Sequence, residues 1–260
     1  MAKTTTIWEN MRLDGRTALV TGAGKGLGRS IAVGLAQAGA NVALLSRTAK
    51  DLELVANEVK QEGVEALPIV ADVTDSAQVN RAVQDIVGRF GRLDVLVHSA
   101  GSSQPKKNVL DLSDDEWSHL IGANLNSTFF VCKAAGNVMV SQKRGSIINI
   151  ASVAGQRGRP GNAPYSAAKA GVINFSRALA LEWAAYGVRV NAIAPGRFLT
   201  PLTEGDMSDP QKYGEWIRKV PLGRLGKPEE LREFVVWLAS DASSFATGST
   251  FVIDGGITLL

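Results

Sequence analysis

The sequence predicts an α/β fold: a doubly wound, mostly parallel sheet of about seven strands with helices on both faces. Three observations carry this expectation. Short β-branched and apolar runs alternate with longer segments of helical periodicity along the chain. Glycines such as Gly39 and Gly63 stop several of those segments. No internal repeat, low-complexity tract or linker interrupts the alternation, so residues 1–260 are expected to form a single domain.

The first strand, Thr17 to Val20, runs into a glycine-rich turn and a helix from Gly26 to Ala38. A second strand, Asn41 to Leu45, precedes a helical pattern from Ala49 to Glu62, and a third, Ala66 to Val70, precedes one from Ala77 to Phe90. Strands at Leu93 to His98 and Ser146 to Ile150 bracket a long apolar-rich pattern, Asp114 to Val140, read as one helix. The helix Pro164 to Tyr186 then leads into a strand from Val188 to Ile193, and the helix Glu229 to Ser240 precedes the last strand, Thr250 to Ile253. The segment from Arg197 to Val220 breaks this rhythm. It is polar, punctuated by Pro201, Gly205, Pro210 and Gly214, with a short helix expected at Tyr213 to Lys219. Because it lies beside the crevice expected at the strand ends, residues 197–220 are expected to act as a substrate lid.

Composition narrows the function classes. The 28 basic and 25 acidic residues leave a net charge of +3 with no basic run, which argues against a nucleic-acid surface and leaves anionic small molecules as partners. Cys132, the only cysteine, allows no intrachain disulfide and sits in the apolar stretch Phe129-Phe-Val-Cys132, as a packed core thiol would. The start, Met1 to Trp8, lacks the apolar stretch of a secretory signal, and no run reaches the ~20 apolar residues that span a bilayer. A soluble cytoplasmic protein without a membrane partner is expected.

The chemistry is concentrated in Ala163-Pro-Tyr-Ser-Ala-Ala-Lys169. Tyr165 and Lys169 share one helix face, where an ammonium beside a phenol favours the phenolate and lowers a pKa normally near ~10. Tyr165 is thus a candidate proton donor, and Ser152, just past the strand ending at Ile150, can meet it around one substrate oxygen.

Thr21-Gly-Ala-Gly-Lys-Gly-Leu-Gly28 joins the first strand to the first helix. Glycines at such a junction let backbone amides approach a pyrophosphate beside the positive end of the helix. Leu27 occupies the place of the last glycine of G-x-G-x-x-G, and Gly22, Gly26 and Gly28 give G-x-x-x-G-x-G instead, with Gly24 between them. A turn of this kind also occurs for structural reasons alone; its strand-to-helix setting favours a dinucleotide. At the end of the second strand, where an acid would take the ribose hydroxyls of NAD(H), stand Ser46 and Arg47. With Lys25 in the glycine turn, two cations can bracket a 2′-phosphate, so NADP(H) is the preferred cofactor and NAD(H) a possible one.

Together these residues resemble the short-chain dehydrogenase/reductase family. The resemblance spans nearly the whole chain and rests on ordered motifs: the glycine turn, Asp72-Val73, Ala100-Gly101, Asn124, Ser152, Tyr165-x-x-x-Lys169 and Pro195-Gly196. It implies a Rossmann-type fold and a hydride transfer between NADP(H) and a carbonyl or secondary alcohol. Tyr165 would be the general acid/base and Ser152 would polarise the substrate oxygen. Lys169 would lower the tyrosine pKa and hold the nicotinamide ribose, and Asn124 would order a water in a relay to Lys169. The resemblance also has Asp72 and Val73 flank the adenine, and Pro195, Gly196, Phe198 and Thr200 border the nicotinamide. No metal is implied: the two histidines, His98 and His119, have no ligand spacing. One departure stands out, because His98-Ser-Ala-Gly101 replaces the family's Asn-Asn-Ala-Gly. An imidazole can donate and accept, so His98 is read as a structural histidine in place of the strand-tying asparagine.

The small-molecule substrate is expected among residues after Gly101, Val153 to Asn162 and the 197–220 segment. Ser102, Ser103, Gln104 and Asn162 can hydrogen-bond a polyhydroxylated compound, while Lys106, Lys107, Arg157, Arg159 and Arg197 can attract a carboxylate or phosphate. By resemblance, 3-oxoacyl thioesters and keto-sugar acids or polyols are the nearest classes. A non-catalytic NADP(H)-binding sensor or scaffold on the same fold is the alternative. Long apolar-rich helices and the apolar Ile257-Thr-Leu-Leu260 point, through the resemblance, to a homotetramer.

Overall fold

A computed structural model describes residues 6–103, 106–201, 203 and 209–260. Seven parallel strands form one sheet in the order β3-β2-β1-β4-β5-β6-β7. They are β1 (Thr17–Thr21), β2 (Asn41–Ser46), β3 (Ala66–Val70), β4 (Val95–His98), β5 (Gly145–Ile150), β6 (Val188–Pro195) and β7 (Thr250–Ile253). The chain starts in the middle, at β1, winds outward through β2 and β3, and returns to the other side of β1 at β4. Neighbouring connections therefore diverge between β1 and β4, and a crevice opens at the carboxyl ends of these strands.

Burial on both faces explains why the strands read as continuous apolar runs. Alternate residues of each strand serve opposite cores. Ala18, Val20, Val42, Leu44, Val95 and Val97 join one core, while Leu19, Ala43, Leu45 and Leu96 join the other. Helices α2 (Gly26–Gln37), α3 (Ala49–Gln61) and α9 (Pro228–Ala239) cover the first face through Ile31, Leu35, Leu52, Val55, Leu231 and Val235. Helices α4 (Ser76–Phe90), α6 (Ser127–Gln142) and α7 (Ala163–Trp183) cover the second through Val79, Val83, Val131, Met139 and Leu179. Cys132 is buried in that second core, as a packed thiol.

Local signals set the ends. The Asp75 carboxylate accepts from the Ala77 and Gln78 amides at the start of α4, and Gly91 closes that helix in the left-handed region at φ 73°. A short α1 (Ile7–Met11), not expected from the sequence, is started by a reciprocal Thr6–Glu9 capping box.

The expected unbroken helix from Asp114 to Val140 is divided. α5 (Asp114–Ile121) passes through a π turn at Gly122–Asn126 before α6 begins. The apolar pattern is continuous through the break, so periodicity alone does not reveal it; the extra residue per turn rotates Asn124 into the protein, where it is fully buried. In the 197–220 segment, α8 spans Pro210–Ile217, with Asp209 accepting from the Gln211 and Lys212 amides at its start. Gln104 and Gly205 lie outside the described residues.

Candidate active site

The glycine turn meets the end of β4 at the switch point. Gly22 has φ 66°, and a Cβ there would lie 2.9 Å from the Ala100 amide nitrogen, so no side chain fits between the two loops. Helix α2 begins just beyond, with Lys25 at its N-cap and neither a side-chain cap nor an acid in its first turn. Its free amides and positive dipole end open onto a cleft of about 550 Å³ whose walls include Gly22, Gly24, Ser46, Arg47, Asp72 and Gly101. Val73 and Ala100 also line it. Leu27 packs against the core and Gly28 is buried, so these two can serve a ligand only through backbone. Asp72 accepts from the Thr74 amide (2.9 Å) and hydroxyl (2.7 Å), bonds that hold its carboxyl below the usual range against the opposing effect of burial. This donor set suits a dinucleotide: uncapped amides for a pyrophosphate at the centre, and charged or hydroxylated side chains at one end.

Next to it lies a pocket of about 710 Å³ reached by Ser152 and Tyr165. Ser152 caps the 3-10 turn Val153–Gly155 and its hydroxyl oxygen accepts from the Ala154 amide at 3.1 Å. The hydroxyl proton is left to point elsewhere, and a bond between the Ser152 and Tyr165 side chains works to lower the tyrosine pKa. That turn packs on α7, the helix that carries Tyr165 and Lys169 one turn apart.

Lys169 departs from the expected arrangement. It is 5% exposed, and its Nζ donates to the Ile150 carbonyl at 2.8 Å, lying 5.7 Å from the Tyr165 ring centroid. Burial pushes the ammonium down to about 8. Burial is also the largest influence on Tyr165, whose pKa is raised above its ordinary value, while Ser152 and the Arg159 charge pull it back. The expected depression of Tyr165 by Lys169 is thus corrected: the ammonium is directed at a strand carbonyl, and desolvation of the phenol wins.

Asn124 reaches the same place from the π turn. Its amide donates to the Leu120 (3.0 Å) and Ser102 (2.9 Å) carbonyls, and its Oδ1 accepts from the Ser102 amide at 3.3 Å. A Cβ on Gly101 would lie 2.7 Å from Asn124 Oδ1 and 3.6 Å from Lys169 Nζ. Gly101, Asn124 and Lys169 therefore converge beside the first cleft, which Gly101 lines.

The expectations after β6 divide. Gly196 lines the substrate-side pocket, and Thr200 stands over the glycine turn, 3.6 Å from where a Gly26 Cβ would be. Pro195 is buried, and the Phe198 ring belongs to the core, packed against Gly226. An aromatic ring leaving a buried strand gains more from that core than from a wet cleft wall, so Phe198 does not present its ring to a nicotinamide.

Six cationic residues line the second pocket: Lys106, Arg157, Arg159, Arg197, Arg218 and Lys219. The Arg197 guanidinium lies over the Trp216 ring, and Arg157 donates to the Leu260 and Ile257 carbonyls. Lys107 instead pairs with Glu116 at 2.7 Å. Sequence reading missed Arg218 and Lys219, and also Asp51, which pairs with Lys25 at 3.1 Å in the nucleotide-side cleft. Nothing in the local sequence marks Asp51, which stands in the first turn of α3 as acids commonly do.

His98 is a satisfied core residue, 2% exposed. Its Nδ1 is 2.8 Å from the Thr21 hydroxyl and its Nε2 3.3 Å from the Ser127 hydroxyl. Ser127 donates its only proton to the Ala123 carbonyl at 2.8 Å, so it must accept from Nε2–H, and Nδ1 accepts from Thr21. Thr21 in turn accepts from the Ala100 amide at 3.2 Å. The neutral imidazole thus ties β1 to β4 and both to the π turn, as the replaced asparagine was expected to tie strands.

The profile of a family described as Enoyl-(Acyl carrier protein) reductase matches residues 22–258. A gluconate 5-dehydrogenase of Gluconobacter oxydans is 40% identical over 95% of this chain and 96% of its own. The chain belongs to the short-chain dehydrogenase/reductase family. A 3-oxoacyl-acyl-carrier-protein reductase of Thermotoga maritima, 38% identical over 96% of this chain and all of its own (100%), is a second relative. Among solved structures, a gluconate 5-dehydrogenase from Burkholderia cenocepacia in complex with NADP and tartrate superposes with a TM-score of 0.92, at 36% identity over 98% of this chain and 100% of that one. The relatives named here are dehydrogenases and reductases, and the Rossmann-type architecture expected from the sequence is the one observed.

The His98 geometry predicts an acid-side stability loss. Burial, with the Lys169 charge adding, holds its pKa down to about 3 from 6.5. Between those values the unfolded chain takes up a proton that the native state refuses, so stability falls as pH falls through this window, by roughly 1.4 kcal/mol per pH unit at the limit. Urea unfolding at pH 6.5 and pH 5 should show a shallower loss for His98→Asn than for the unsubstituted protein; equal slopes would count against a buried neutral imidazole.

Proposed function

We propose that the protein is an NADP(H)-dependent carbonyl reductase and secondary-alcohol dehydrogenase acting on a small anionic substrate, of which a keto-sugar acid or its polyol partner suits the pocket best. The carrying observation is that Ser152 and Tyr165 open onto a pocket lined with six cationic side chains, directly beside a cleft built for a dinucleotide. A carboxylate is the complement of such a wall, and Asn162 and Ser103 add hydrogen-bonding partners for hydroxyl groups. The relatives named for gluconate support this choice; the 3-oxoacyl relative keeps acyl thioesters as the second class to be tried.

Bound in the cleft, the nicotinamide supplies or accepts the hydride. Tyr165 gives its proton to the carbonyl oxygen in reduction and recovers one from the alcohol in oxidation. Ser152 has its oxygen engaged by the Ala154 amide and directs its proton at the same substrate oxygen, stabilising the charge that builds there. Lys169, titrating at about 8, is mostly an ammonium at neutral pH and sits within reach of the ribose side of Gly101. Asn124 holds the Ser102 backbone and so keeps the end of β4 open toward that ammonium. Trp216, Arg218 and Lys219 line the same pocket, which supports reading their segment as the lid.

The assembly in this reading is a homotetramer. Phe129 on α6 and Leu181 on α7 are 44% and 83% exposed, and apolar surface near the chain end includes Leu259 and Leu260. Light scattering at micromolar concentration should return four subunits, and a monomer would remove this part of the proposal.

A spectrophotometric screen with NADPH and NADH over keto-sugar acids, 3-oxoacyl thioesters, diketones and polyols tests the reaction class. Tyr165→Phe should lower kcat by about 10²–10⁴-fold while cofactor affinity stays within about threefold. Unchanged turnover in that variant would end the assignment. Because burial raises the Tyr165 pKa, reduction needs no deprotonation and should stay flat from pH 6 to pH 8, whereas alcohol oxidation should climb with pH through the same range. An oxidation rate that falls as pH rises would contradict Tyr165 as the base.

A further inference from the structure

Lys25 and Arg47 are the two cations expected around a 2′-phosphate, but an acid lines the same cleft. Asp51 projects from the first turn of α3 into the nucleotide cleft and pairs with Lys25 Nζ at 3.1 Å. Its side chain is 19% exposed, against 66% for Lys25. A Cβ built on Gly24 would lie 3.0 Å from Asp51 Cβ and 3.2 Å from Ser46 Oγ. Asp51 and Ser46 thus stand together against the glycine turn, at the end of β2 where ribose hydroxyls are read in this architecture. The local charge of Lys25, Arg47 and Asp51 is +1, not the +2 that the cations alone would give.

The consequences for the two nucleotides differ. A 2′-phosphate is close to a dianion at neutral pH. To meet it, the Lys25 ammonium must leave Asp51 or be shared with it, and in either case the carboxylate, mostly shielded from water, faces a like charge. A ribose 2′-hydroxyl makes no such demand. It can donate to the carboxylate while Lys25 keeps its pairing, because a carboxylate has acceptor sites for both. Arg47, exposed in the same cleft, favours the phosphate in either case.

We propose that Asp51 is a specificity-determining residue of the nucleotide cleft: it competes with a 2′-phosphate for Lys25 and so weakens the preference for NADP(H) that Lys25 and Arg47 set. Removing its charge strengthens that preference. This inference rests on the dinucleotide reading of the cleft given above.

Isothermal titration of the purified protein with NADP⁺, NAD⁺, 2′,5′-ADP and 5′-AMP reads the pair without turnover. Asp51→Asn should raise the NADP⁺-to-NAD⁺ affinity ratio by about fivefold or more, and the 2′,5′-ADP-to-5′-AMP ratio likewise. The gain should shrink as NaCl rises from about 50 mM to about 500 mM, as an electrostatic effect must. Lys25→Gln, which reads the same pair from its other side, should lower the ratio by a similar factor and guards against a folding defect in the first variant. Both variants should melt as the unsubstituted protein does. A ratio unchanged within about twofold in a folded Asp51→Asn protein would overturn the inference while leaving the nucleotide reading intact. An unsubstituted protein that binds none of the four nucleotides would overturn both.

Discussion

Lys169 carries an ammonium into the interior and sets it on the carbonyl of Ile150, the last residue of β5. A buried charge is tolerated only where polar partners replace its water, and the fall of its pKa to about 8 measures how incompletely that replacement is made. The contact nevertheless dictates much of the site. α7 must lie with its first turns over the end of β5, which brings Tyr165, one turn earlier, above Ser152, two residues beyond Ile150. The end of β4 must come close enough that Gly101 has no room for a side chain beside Asn124 and Lys169. One ammonium thus ties the helix that carries Tyr165 to the strand that leads into Ser152.

A second constraint is directional. From the Ala100 amide through Thr21, His98 and Ser127 to the Ala123 carbonyl, each hydroxyl and the imidazole has one proton and one role. The chain runs only one way, and it fixes the imidazole as the Nε2–H form. It connects the loop on the nucleotide side with the π turn that carries Asn124. Protonating His98 would reverse the bond at Nδ1, so the arrangement requires the neutral ring that burial enforces. An asparagine offers the same pairing of one donor with one acceptor, which is why the substitution at this position leaves the sheet intact.

The strands were legible because parallel strands covered on both faces become uninterrupted apolar runs, and their bounds agree within a residue or two. Residues that act through backbone position, such as Gly22, were legible through glycine itself. The π turn was not, since its five residues continue the apolar pattern of the flanking helices and differ only in hydrogen bonding. The direction of the Phe198 ring was not legible either: a motif gives proximity to the strand end, whereas the direction of a ring depends on which surface offers it more burial. Asp51, Arg218 and Lys219 escaped notice because each belongs to an exposed-looking helical pattern, and only tertiary packing aims them at a cavity.

The tyrosine shows where local spacing misleads most. Four residues along a helix place an ammonium near a phenol, and in water that would lower the phenol's pKa. Here the Lys169 ammonium is drawn to a strand carbonyl, both groups are largely withdrawn from solvent, and desolvation outweighs attraction for the phenol. In the proposed reduction this is no handicap, since the neutral phenol is the form that would donate. It does move the control of proton return onto the groups that oppose desolvation: the Ser152 hydroxyl on one side and the Arg159 guanidinium on the other. Arg159 is also part of the cationic wall that a carboxylate would meet, so a bound anion weakens the pull of Arg159 on the phenolate. On the proposed reading, an anionic ketone in this pocket would favour the protonated tyrosine that its own reduction consumes.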